Sequence, residues 1–129
     1  MSTDRELAAW LRLAILLRRD AAKLAAREGG TWTHDGVHTG NVSSLGGQVV
    51  YDEGSPDEHQ AAHIAMNDPR DVIARCEAEL AILDLCAEWA AFRYVEEEAS
   101  AFCLAQHTVR LLAGGYKNWP GYREEAWKP

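Results

Sequence analysis

His59 and His63 stand four residues apart in the stretch "EHQAAHIAMNDPRDVI", and Asp68 and Asp71 follow them around a proline. Side chains at i and i+4 lie one above the other on a helix, a workable spacing for two ligands of a transition metal. His34 and His38 are the candidates to complete such a site. The residues read HQAAH, so the glutamate of a metalloprotease HExxH motif is missing. Cys103 and His107 form a second pair at the same spacing, a thiol and a base with no orienting acid nearby in sequence. Glu96, Glu97 and Glu98 suggest a magnesium-binding carboxylate cluster, yet the ExxD element of helical pyrophosphohydrolases does not follow them, and a solvated face is the simpler reading. There is no GxSxG elbow and no phosphate-binding P-loop. The plainer reading of the histidine–aspartate stretch is a helix junction. Asp68 then caps a new helix, and His63 sits in the last turn of the preceding one, where partial positive charge suits the helix dipole. A cap-only role for Asp68 predicts that asparagine replaces it at little cost.

The elements that would position these residues are mostly helical. Thr3 with Glu6, and Ser55 with Glu58, have capping-box spacing, and Pro56 suits a first helical position. Helices are predicted over about 4–28, 56–66 and 69 onward, with a further one over 99–113. Gly29-Gly30 stops the first helix, Gly114-Gly115 the last, and Pro69 ends the second near Asn67. Residues 31–52 are poor in helix formers and carry Asp35-Gly36 and Gly46-Gly47 as two-residue turns. They predict a β-meander at roughly 31–34, 37–44 and 48–52, with a partly ordered loop over 31–52 as the alternative. The fold class expected is therefore mainly α, a small helical hairpin or bundle with a short β-meander insert, in one domain of 129 residues. The aromatic tail, 116–129, is expected to dock on its own domain.

Composition narrows the function classes. The net charge of −7 disfavours generic attraction to nucleic acid or anionic membrane. No apolar run approaches a membrane span. The three cysteines, Cys76, Cys86 and Cys103, include no CxxC pair and read as reduced thiols of a cytoplasmic protein.

The stretches "HIAMNDPRDVIARCEAELAILDL" and "TVRLLAGGYKNWPGYREEAWKP" resemble an actinobacterial and actinophage family, domain-of-unknown-function family number 6221. His63, Ile64, Ala65, Asp68 and Pro69 match its first element, and Ile82-Leu83 its long helix. Its closing element is matched by Arg110, Leu111, Leu112, Ala113 and Tyr116, then by Pro120, Tyr122, Arg123, Glu124, Glu125 and Trp127. Asn67 stands where the family carries a second histidine, and the cysteine pairs that several members carry before the closing element are missing from "EEEASAFCLAQH". The resemblance implies a small accessory protein of a phage or prophage, with no known activity.

Two surfaces are candidates for contact. Arg5, Arg12, Arg19, Lys23 and Arg27 fall within roughly an 80° arc of the first helix. This basic stripe fits three uses: pairing with acidic helices of the same chain, an acidic partner, or nucleic acid. The long helix after Pro69 carries two apolar seams. Cys76, Leu80, Leu83, Ala87, Ala90 and Tyr94 form one, and Ile82, Leu85, Trp89 and Phe92 the other. A surface helix of a monomer needs only one such stripe.

The expectation is thus a non-catalytic accessory protein of a bacterial cytoplasm, with no cofactor. Its partner is another protein or a second copy of itself, and Ile82, Leu85, Trp89, Phe92, Arg12, Arg19 and Lys23 are the candidate contacts. The alternatives are a small metal-dependent enzyme centred on His59 and His63, and a nucleic-acid-associated regulator using the basic stripe.

Overall fold

A computed structural model describes residues 3–34, 41–50, 57–91 and 99–129. Five α-helices are described: α1 (Thr3–Ala25), α2 (Glu58–Met66), α3 (Pro69–Ala90), α4 (Ala99–Gly114) and α5 (Glu124–Trp127). A turn of 3-10 helix, Ala26–Glu28, prolongs α1, and three short strands, β1 (Thr33–His34), β2 (Val42–Ser44) and β3 (Gly47–Val50), form an antiparallel sheet in the order β1-β2-β3. The fold is mainly helical with a small β insert. Backbone contacts gather into two compact units, residues 18–76 and residues 1–17 with 77–129.

In the unit 18–76, α2 packs across β1 and β2, and Ala61 and Val42 are fully buried. The sheet differs in detail from the sequence expectation. Ser44 pairs with Gly47, so the β2–β3 turn is Leu45-Gly46, one residue earlier than Gly46-Gly47, and Gly47 takes φ 125° as the first residue of β3. Asp35-Gly36 lies outside the described residues, as do Ser55 and Pro56. The cap of α2 is Asp57, whose Oδ1 accepts from Gln60 N at 2.8 Å while Gln60 Oε1 accepts from Asp57 N at 3.0 Å. Ser55 and Glu58 offer the same spacing two residues earlier. The reciprocal pair that forms is the one whose acceptor is an ionised carboxylate, a stronger partner for free amides at a positive helix end than a hydroxyl.

In the other unit, the first four turns of α1 meet α3, α4 and the tail. Leu7, Leu11 and Ile15 from α1, Leu83 and Cys86 from α3, Ala105 and Ala113 from α4, and Tyr116 and Trp127 from the tail make its core. These α1 residues recur at steps of four, which keeps them on one face of the helix. Thr3 is already helical, and Glu6 Oε2 accepts from Arg123 Nη1 at 2.9 Å. The tail is docked as expected, through contacts that span most of the sequence.

Candidate functional site

Three constellations in the sequence had the residue types for a site. The first is the α2–α3 junction. Asp68 is 3% exposed, and both its carboxylate oxygens are engaged: Oδ1 accepts from Asp71 N at 2.9 Å, and Oδ2 from Trp32 N at 3.1 Å. The first of these is an N-cap of α3, three residues into the helix. The second ties the segment after α1 to the same point, and Arg70 N donates to Gly30 O at 2.9 Å beside it. Asp68 is therefore a cap and a tether. This corrects the expectation that asparagine would serve as well, because an amide offers one acceptor oxygen where the structure uses two. Asn67, at the family's second histidine position, closes α2: its N–H donates to Ile64 O and its Nδ2 to His63 O, the latter at 2.9 Å. The junction is thus occupied by structural hydrogen bonds.

The second constellation is the histidine pair. His59 and His63 are both exposed on α2, and His59 lies 3.6 Å from Glu58. His34 is on β1, and His38 lies outside the described residues. Among the described residues no three His, Cys, Asp or Glu side chains are grouped to hold a metal ion. Cys103 and His107 are exposed on α4.

The third is the closing element, and here the geometry is dense. Arg110 Nη2 donates to Asp4 Oδ1 at 3.0 Å, and its Nη1 donates to the carbonyls of Ala126 and Lys128 at 3.0 and 3.2 Å. Gln106 Nε2 donates to the other oxygen of Asp4 at 2.5 Å. One guanidinium thus joins the first turn of α1 to the carbonyl end of α5, where positive charge is favoured. Trp10 Nε1 donates to Pro120 O at 3.1 Å, and its ring centroid lies 5.2 Å from that of Trp127 and 5.7 Å from that of Tyr122. Arg123 sits 5.2 Å over the Trp127 ring and pairs with Glu6. Gly121 has φ 90°, and a Cβ there would fall 2.8 Å from Trp10 Nε1, so both the turn and the close approach require glycine. Tyr116 is 2% exposed and its hydroxyl donates to Glu79 Oε2 at 2.5 Å. Of the residues that carry the family resemblance in the second half of the chain, Arg110, Tyr122, Arg123 and Trp127 hold the tail in place.

Between α1, the end of α3 and the start of α4 lies a cleft of about 490 Å³. Its walls include Ala8, Ala87, Ala90, Ala105, Phe102 and Val109, with Asp4, Arg12 and Gln106 at polar positions. Asp4 is committed to Gln106 and Arg110, and Arg12 to Asp84 at 2.6 Å, while Arg5 is a further polar residue of the lining. The Cys86 thiol in its wall is pushed above its ordinary pKa by burial, which lowers its thiolate content and its power as a nucleophile. The cleft offers apolar surface rather than an oriented acid–base or nucleophile pair.

The candidate contact residues divide. Ile82, Leu85 and Trp89 are 36%, 54% and 37% exposed, while Leu83 and Cys86 of the same helix are buried. Phe92 and Tyr94 lie outside the described residues. In the basic stripe, Arg12 pairs with Asp84 of α3, Arg19 approaches Asp20 at 3.5 Å, and Lys23 and Arg27 are exposed. On α4, Leu104 and Leu111 are 67% and 57% exposed. Leu104 escaped the sequence reading and Leu111 entered it only through the family resemblance, although their spacing of seven on an amphipathic helix was there to be seen.

A small helical protein with a β insert, its C-terminal tail pinned by charge and aromatic packing, is the class defined here. Residues 4–129 match the sequence family described as Family of unknown function (DUF6221), and the chain belongs to it. No curated protein and no solved structure matches the chain significantly. The match extends well beyond the two stretches that carry the resemblance, into α1 and the β insert. No helix among the described residues is long and apolar enough to cross a membrane.

Proposed function

We propose that this protein works without chemistry of its own, by presenting the outer face of α3 to another protein surface. The observation that carries this reading is the exposure of Ile82, Leu85 and Trp89 on one side of a helix whose other side holds Leu83 and Cys86 in the core. Single exposed apolar side chains need no explanation, but a contiguous apolar stripe on a folded helix marks an interaction site. Trp is, moreover, among the residue types enriched at interface centres. The uses found for Arg110, Tyr116, Tyr122, Arg123, Trp127 and Asp68 support the same reading, since each is taken up in holding the fold. The accessory role in a phage or prophage is part of this proposal. It is carried by the sequence resemblance, and genomic neighbourhood tests it.

A Leu85→Glu, Trp89→Glu variant tests the contact. The expected result is an unchanged far-UV circular dichroism spectrum and melting temperature, with loss of the proteins, further copies of this chain included, that the wild type retains from host lysate. Equal retention by both forms would overturn the reading.

A further inference from the structure

Beyond that reading and independently of it, we infer that the cleft between α1, the end of α3 and the start of α4 binds an uncharged apolar small molecule, about two or three rings in size. All the lining residues belong to the unit formed by residues 1–17 and 77–129. Each helix presents one face to the cleft at steps of three and four. Arg5, Ala8 and Arg12 come from α1, Leu83, Ala87 and Ala90 from α3, and Phe102, Ala105 and Val109 from α4. Such spacing marks the side of a helix that packs on its neighbours. Yet the central residue of each set is alanine. Where helices converge, interiors are packed with few voids larger than a water molecule. Here the middle of each face carries only a methyl group, and Ala87 and Ala90 stay exposed although they share the cleft with two other helices.

Polar links hold these walls in place. Asp4 accepts from Gln106 and Arg110, which ties α1 to α4, and Arg12 pairs with Asp84, which ties α1 to α3. They set the spacing of the helices without a ligand, as in the largely pre-formed pockets that small molecules use. The volume of about 490 Å³ falls within the roughly 300–1,000 Å³ of such pockets. An apolar cavity of about 150 Å³ takes one benzene, which sets the ligand's size at about two or three rings.

The same links decide the ligand's polarity. Asp4, Gln106 and Arg12 have partners within the protein, and Arg5 is engaged as well. A charged or hydrogen-bonding group carried into the cleft would lose its water and have to compete with those partners, a cost that an apolar body does not incur. The rest of the wall is alanine methyl groups, the Phe102 ring, Val109 and the Cys86 thiol. Burial raises the Cys86 pKa, so this part of the wall is uncharged at neutral pH. The electrostatic match is therefore to a neutral molecule, and Phe102 offers a ring for another ring to lie against.

Alkylation of Cys86 reads occupancy directly, because its thiol lies in the cleft wall. The full chain, carrying Cys103→Ser to remove the exposed thiol, is treated with iodoacetamide at pH 9, and the Cys86 peptide is followed by mass mapping. The probes are naphthalene and 2-naphthoate, the same rings with a carboxylate added. Naphthalene near its limit of solubility is expected to slow alkylation at least ~5-fold, since only the empty fraction reacts, and to raise the melting temperature. Protection by 2-naphthoate is expected to stay below ~2-fold. Ala87→Phe puts a ring into the cleft from an exposed position, and should keep the circular dichroism spectrum while abolishing protection by naphthalene. Ala90→Phe makes the same test from the next turn if the first variant does not fold. Alkylation of the wild type unchanged by naphthalene would overturn the proposal. Equal protection of the wild type and a folded phenylalanine variant would place the probe elsewhere and overturn it too. Stronger protection by 2-naphthoate than by naphthalene would overturn the uncharged ligand. Leu85 and Trp89 are not among the lining residues, so the contact reading of the outer face stands or falls by its own variant.

Discussion

Trp127 and Trp89 put the same side chain into two settings within one compact unit. Trp127 is 1% exposed, stacked among Trp10, Tyr122 and Arg123, on a tail pinned at both ends by hydrogen bonds. Trp89 is 37% exposed on the outer side of α3, with Leu85 and Ile82 beside it. The tail reaches its place by contacts across more than a hundred residues, Trp10 to Pro120 and Glu6 to Arg123. The α3 stripe is built from neighbours on one helix and keeps a third or more of each large side chain exposed. Aromatic and apolar content alone does not distinguish a core from an interface. The difference is whether the chain supplies its own covering surface.

Substitutions in the two places should separate them. The largest effect is expected for Trp127→Ala, which removes the centre of the aromatic cluster and should cost about 3–5 kcal/mol in urea unfolding. Trp89→Ala in the monomer should cost under about 1 kcal/mol, and a loss as large as that at Trp127 would erase the distinction. The Trp127 indole N–H has no hydrogen-bond partner among the described residues, so Trp127→Phe should recover much of the loss caused by alanine. A step below, Asp68→Ala should cost about 2–4 kcal/mol, since it removes the α3 cap and also strands the part-buried Trp32 N–H. Asp68→Asn should cost about half of that, because one amide face meets a donor; no loss at all would return Asp68 to a simple cap.

Arg110→Ala should cost about 2 kcal/mol by freeing the tail from α1, and hydrogen exchange should show faster exchange of the amides of 124–128 ahead of those of α3. The smallest effect concerns Cys86. Its folded-state pKa is raised by burial, so the neutral thiol is favoured by folding. The stability this contributes is fully present below the ordinary thiol pKa of 9.0 and is lost as pH rises through the higher folded value. Alkylation at pH 8 should therefore modify the exposed Cys103 well before Cys86, as peptide mass mapping would show.

Much of the helical skeleton could be read in advance. Asp68 and Pro69 start α3 as their residue types require, Pro69 and Asn67 bound α2, and Gly114-Gly115 ends α4. The start of α2 was harder, because Ser55 with Glu58 and Asp57 with Gln60 both have capping-box spacing and only the reciprocal bonds decide between them. The β2–β3 turn slipped by one residue for a similar reason. Three consecutive positions, Leu45, Gly46 and Gly47, offer overlapping two-residue turns, and strand pairing selects one. The second oxygen of Asp68 was not legible either, since its donor, Trp32, is 36 residues away.

What the order of residues set was local: where helices begin and end, which of their positions are apolar, and where glycine frees the backbone. These follow from capping groups, proline's missing N–H and the 3.6-residue period, all acting within a few residues. What the tertiary structure alone decided was which apolar side chains have something to cover them. Two tryptophans with the same chemistry divided between core and surface because Gly121 lets the tail close on Trp10, against which Trp127 packs, while Trp89 stays 37% exposed on α3. Burial depends on surfaces brought together from distant parts of the sequence, and a helical period states only that a face exists, not what will lie against it.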